Sequence, residues 1–149
     1  MDTGLEHLHS TLRWVALALL VATWLRAFSQ RRSGQFTPLQ ARLGLFSMIT
    51  LHLQLVIGLA LYFLRDWPAA LSEPGAMANA TIRFFGMEHL VLMLLAILLG
   101  TLGHGLAKRA TDPETKYRKH VLYFGLALVV IFSAIPWPFR AGFESYGWF

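Results

Sequence analysis

The sequence predicts an all-α protein, an integral membrane four-helix bundle, on three observations. Of 149 residues, 56% are hydrophobic and 14% charged, a balance too apolar for a water-soluble domain of this length. The apolar residues fall into four runs, each approaching the roughly 20 residues that cross the hydrocarbon core as a helix. The cations gather between those runs and not on one face or in a tail. The net charge of +5 is therefore read as membrane topology and not as a nucleic-acid footprint.

The first run, 4–28, has no basic leader and no small-residue cleavage site, so it reads as a retained span. The second, 38–64, opens on Thr37-Pro38, a cap residue before a first-turn proline. The third is 81–107. The fourth, 119–135, is stopped by Pro136 and Pro138. With short linkers and no soluble domain, repeat or low-complexity stretch, residues 1–149 read as a single multi-pass transmembrane domain.

Orientation follows from the basic residues. Arg26, Arg31, Arg32 and Arg42 surround the first connection, and Lys108, Arg109, Lys116, Arg118 and Lys119 the third. Cations of this kind mark cytoplasmic loops, which puts both termini on the outer, periplasmic side. Outside remain Arg13, Arg65, Arg83 and Arg140, on the same side as Trp14, Trp67, Trp137 and Trp148, an interfacial aromatic belt. Arg65 and Arg140 read as snorkelling side chains. Arg13 and Arg83, within a turn or two of histidines, are candidates for bidentate contacts to carboxylates.

The absence of Cys excludes disulfides, iron–sulfur ligation, thiolate haem ligation and covalent c-type haem. Any metal must be held by His, Met, carboxylates or backbone. No nucleophile constellation, phosphate loop or dinucleotide fingerprint supports hydrolase, nucleotide or flavin chemistry, which favours an electron carrier over a catalyst.

The histidines carry the chemistry. At 1.5 Å and 100° per residue, His9 and His89 lie level, and His52 about 6 Å deeper. His104 lies about 22 Å along the third helix from His89, level with His120. An ionisable residue inside a span marks a functional site. Here His52 and His89 are expected to ligate or move protons, with His9 the alternative partner. His120, among basic residues, reads as hydrated, and His7 as solvent-facing. The small residues Ala96, Gly100, Gly103 and Ala107, with Met93, share a side of the third helix with the histidines. They are read as room for a flat macrocycle in preference to plain helix packing. Glu88 needs a cation, Arg13 or Arg83, as a structural ion pair or a proton-exchanging acid. Ser47, Thr50, Gln54 and Gly58 line the side of the second helix opposite His52, so that helix is expected to have two neighbours, for one of which another subunit is a candidate.

The segments LHSTLRW (8–14), LHLQLVIGLALYF (51–63), RFFGMEHLVLM (83–93), GHGLAKRA (103–110) and IPWPFR (135–140) resemble a family of small four-helix bacterial membrane proteins catalogued as cytochrome b-like. The resemblance runs along nearly the whole chain. It implies a haem-binding bundle in the bacterial inner (cytoplasmic) membrane, with His9, His52, His89 and His104 at the motif positions. The leading expectation is a b-type cytochrome whose haem b is held by His89 and His52 or His9, exchanging electrons with a quinone or a periplasmic partner. Bis-His ligation leaves no open position at iron, which suits electron transfer. Arginines Arg13 and Arg83 would face the propionates. One haem is expected, and two if His104 also ligates. Two other readings stand beside it. One is an accessory subunit of a larger respiratory complex without its own cofactor; in any reading the chain is expected to be a homo-oligomer or a subunit of a larger membrane complex. The other is a haem-free transition-metal site of His9, His52, His89 and Glu88.

Overall fold

A computed structural model of the chain describes residues 2–140 and 142–144. Among these, four helical segments are long and apolar enough to cross a membrane. They are built on α1 (Asp2–Gln30), α2 (Pro38–Leu64), α5 (His89–Arg109) and α6 (Pro113–Ala134). Between α2 and α5 the chain forms α3 (Trp67–Ser72), a 3₁₀ turn (Ala76–Ala78) and α4 (Ala80–Arg83). A π-helical turn (Phe84–Glu88) then runs straight into α5. The protein is thus all-α and multi-pass, with apolar helix faces that meet lipid.

Local chemistry sets the boundaries. Thr37 caps α2, its hydroxyl accepting from the Gln40 amide at 3.2 Å, with Pro38 in the first turn. The last span starts at Pro113 and not at the expected 119, because Asp112 accepts from the Thr115 amide at 2.8 Å and Pro113 occupies the first turn. That backbone hydrogen bond holds the Asp112 carboxyl below the usual carboxylate range. Hydropathy missed this turn because its charged residues are solvated. In the same way α1 runs two residues further at each end than the apolar run.

Around the bundle, α1 packs on α2 and α6, while α5 packs on α6 and α2. Helices α1 and α5 therefore face each other across one diagonal, and α2 and α6 across the other. The centre is filled by Leu17, Leu20, Leu51, Ile97, Phe124, Leu128 and Ile131. Large apolar side chains such as Val56, Val91, Leu98, Leu122 and Val129 point outward, as lipid requires.

The stripe of small residues on α5 serves mainly close packing, which corrects the macrocycle reading. A Cβ on Gly100 would lie 2.7 Å from Leu51 Cδ1, and one on Gly103 would lie 2.6 Å from Tyr123 Cβ. Neighbouring helices already fill that space, as small interfacial residues allow.

Candidate functional site

Two histidine pairs occupy opposite ends of the bundle. At the end holding the start of α1 and the end of α2, His9 and His89 meet across the α1–α5 diagonal with ring centroids 6.4 Å apart and planes at 69°. The π turn prepares His89. In such a turn residues five apart come into line, so Arg83 Nε reaches Glu88 Oε1 at 2.8 Å. Tyr62 OH donates to the Gly86 carbonyl at 2.9 Å, tying the turn to α2. Phe84 and Phe85 pack on the His89 ring.

Each ring is held by its other atoms. His89 Nδ1 lies 2.8 Å from the Ala134 carbonyl. A carbonyl only accepts, so Nδ1 carries the proton and the Nε2 lone pair stays available. His9 rests on α2, where a Cβ at Gly58 would come 3.2 Å from its Cε1. Gln54 donates to the His9 carbonyl at 3.0 Å. Two polar atoms here, His9 Nδ1 and Gln54 Oε1, are buried with no hydrogen-bond partner among the described residues.

Both rings line a cavity of about 390 Å³ that runs between the four long helices, with Leu20, Leu51, Ile97 and Ile131 at its inner end. That volume is of ligand-binding size. Arg13, Arg65, Glu6, Tyr62 and Trp67 supply its polar wall and mouth. Arg65 pairs with Glu6, and the Arg13 guanidinium lies 5.3 Å from the Trp14 ring centre.

At the other end, flanked by the basic connections, His120 is almost wholly buried. Its Nδ1 lies 3.0 Å from Gln40 Nε2, which also donates to the Thr23 carbonyl at 3.1 Å. Thr23 Oγ1 and Ser47 Oγ share a hydrogen bond of 2.9 Å. Phe36 and Phe124 meet the His120 ring edge-on. A Cβ at Gly44 would come 2.5 Å from His120 Cε1 and 3.5 Å from His104 Nδ1.

The histidines expected from depth are therefore re-sorted by rotation. His52, expected as the first partner of His89, lies on the exposed face of α2, its ring bonded to its own helix at the Met48 carbonyl, 2.8 Å away. His9, the alternative, is the residue beside His89. The face of α2 that looks inward is the one with Ser47, Thr50 and Gln54. Arg83 forms the ion pair expected with Glu88 and also donates to the Met77 carbonyl, and it does not line the cavity, where it was expected to face carboxylate substituents. Arg65, read as a snorkelling side chain, is at the cavity mouth. His120, read as hydrated, is buried. Among the described residues no three potential ligands gather around one point, so His9, His52, His89 and Glu88 do not form a common metal site.

The sequence carries a signal for both seats. Gln40 and Gly44 recur as Gln54 and Gly58, a Gln-x-x-x-Gly repeat fourteen residues apart. Each glutamine donates to an α1 carbonyl, Thr23 or His9, and each glycine seats a histidine ring. Fourteen residues are nearly four full turns, which keeps both copies on one face.

A shared metal between two imidazoles needs two metal–nitrogen bonds of about 2 Å plus two ring radii, or about 6 Å between centres. The spacing of His9 and His89 meets that requirement, and the free lone pair of His89 and the partnerless Nδ1 of His9 suit it. A family model described as eukaryotic cytochrome b561 matches residues 3–108. The match includes His9, His52, His89 and His104 and stops short of His120. No curated protein and no solved structure matches the chain.

Proposed function

Because the chain belongs to the eukaryotic cytochrome b561 family, membrane b-type cytochromes of electron transfer, we propose that its haem b is held between His9 and His89. The observation that carries this reading is the 6.4 Å approach of the two rings at the wall of a cavity. Haem supplies one-electron redox chemistry when bound. The chain's own residues do the rest. The bond from His89 Nδ1 to Ala134 keeps Nε2 unprotonated and fixes the ring's direction. Gly58 lets His9 sit close to α2. Arg13 and Arg65 put positive charge where carboxylate substituents would lie. Phe84, Phe85, Leu17 and Met93 keep water from the rings.

Electrons would enter or leave at the cavity mouth, beside Glu6, Arg65 and Trp67, through a quinone or a soluble partner. We place the basic end in the cytoplasm, with both termini outside. The motif resemblance supports a bacterial inner membrane. One observation favours a neighbour within the bilayer. His52 sits one residue from the midpoint of α2, exposed, and too short to snorkel out of a core about 30 Å thick. A quinol hydroxyl or another subunit would satisfy it.

The test is a reduced-minus-oxidised spectrum of protein purified in mild detergent, with His89→Ala and His9→Ala beside it. We expect sharp b-type bands in the wild type and loss of haem in both variants, with binding retained in His52→Leu. Full haem retention in His89→Ala overturns the assignment.

A further inference from the structure

The pair at the basic end differs in kind from the pair at the cavity. Gln40 Nε2 stands 3.1 Å from the Thr23 carbonyl. A carbonyl accepts only, so this amide atom is the nitrogen and not the oxygen. The same nitrogen is 3.0 Å from His120 Nδ1, so its second N–H donates there and Nδ1 is the acceptor. A neutral imidazole carries one proton, which then sits on Nε2. Both nitrogens of His120 are thereby committed, and neither offers iron a lone pair. His89 has the opposite arrangement.

Space agrees with chemistry. The His120 ring lies directly on α2: a Cβ at Gly44 would come 2.5 Å from Cε1 and 3.0 Å from Nε2. No macrocycle fits between α6 and α2 at that level. The cavity stops at Leu20, Leu51 and Ile97, and neither His104 nor His120 lines it. What stands over Gly44 is a donor, His120 Nε2–H, and beside it His104 Nδ1, which is buried with no hydrogen-bond partner among the described residues.

We propose that His104 and His120, seated on Gly44 with Gln40 fixing the proton on His120 Nε2, form a donor–acceptor site for a proton-carrying hydroxylic molecule such as water. It is not a second iron site, and the chain carries one haem. Gln40 is the positioning residue. The hydroxyls of Thr23 and Ser47 extend this polar line inward from Gln40, and Leu20 and Leu51 close it from the cavity.

The one-haem count rests on the cavity site proposed above, whereas the tautomer does not. Haem per chain, by pyridine haemochrome against protein amount, is expected to be one in the wild type and unchanged in His104→Ala and His120→Phe. Two haems per chain, or loss of half the haem in either variant, overturns the proposal. Nitrogen NMR of ¹⁵N-histidine-labelled wild type in lipid nanodiscs needs no variant to fold. It should show the His120 proton on Nε2, with mixed tautomers in Gln40→Leu. A proton on Nδ1 in the wild type overturns the proposal too. A colourless wild type, or haem kept by His89→Ala, would instead fail the cavity reading and leave the NMR result to decide this one.

Discussion

Two glycines do most to decide where the imidazoles sit. The His120 ring is held by Gln40 and walled by Phe36 and Phe124, so it cannot retreat from a methyl group placed 2.5 Å from Cε1. Gly44→Ala should cost roughly 1–3 kcal/mol, the usual range for overpacking, seen as a lower thermal midpoint in detergent. Gly105→Ala, inside α5 and with nothing within 4 Å of its Cβ, is the control and should melt at or slightly above wild type, because alanine is the better helix former. Glu88 offers a contrasting case. Its pair with Arg83 is partly exposed, with side-chain exposures of 36% and 38%, so Glu88→Gln should cost no more than about 1 kcal/mol. It should leave haem content unchanged, and loss of haem in that variant would restore Glu88 to the site.

At the level of elements, helix starts and one irregular turn matter most. Asp112 caps α6, and its carboxyl is held below the ordinary range by the Thr115 amide. A depressed folded-state pKa means a contribution present above the unfolded value, about 3.9, and lost as pH falls through the folded one. Asp112→Ala should lower the thermal midpoint at pH 7, and the difference should shrink as pH falls below the ordinary carboxylate range. A gap that stays constant on acidification would mean the cap acts without its charge. The π turn before α5 is the other irregular element. It aligns Arg83 with Glu88 and frees the Gly86 carbonyl for Tyr62, which anchors the residue chain leading into His89. Tyr62→Phe should leave the fold intact but loosen the turn, reducing haem affinity a few-fold in a titration of the haem-depleted protein.

For the whole molecule, the distribution of cations and the diagonal packing set the function. With both basic connections at one end, a periplasm-dependent reporter fused after residue 149 should be active, and activity only in the cytoplasm would invert the topology. The diagonals explain why the two ends differ. Helices α1 and α5 each bring a histidine to the cavity end, so the rings of His9 and His89 meet there. On the other diagonal α6 brings His120, and α2 answers with Gly44 in place of a second imidazole.

Composition, run length and the clustering of cations determined that this chain is a bundle of four membrane helices, because burying backbone in lipid demands continuous apolar helix. Depth was legible too. Counting residues from helix ends placed His9 level with His89 and His104 level with His120, since rise per residue is constant. Rotation was not legible. A single helix with polar residues on two sides does not reveal which side faces in; a ligand role for His52 needs its side inward, and packing turns Gln54 and Ser47 inward instead. The fate of His120 depended on Gln40 arriving from α2, eighty residues away in the chain. Those choices belong to the tertiary structure, because they are settled by which neighbour satisfies each buried polar atom, and that neighbour is distant in sequence.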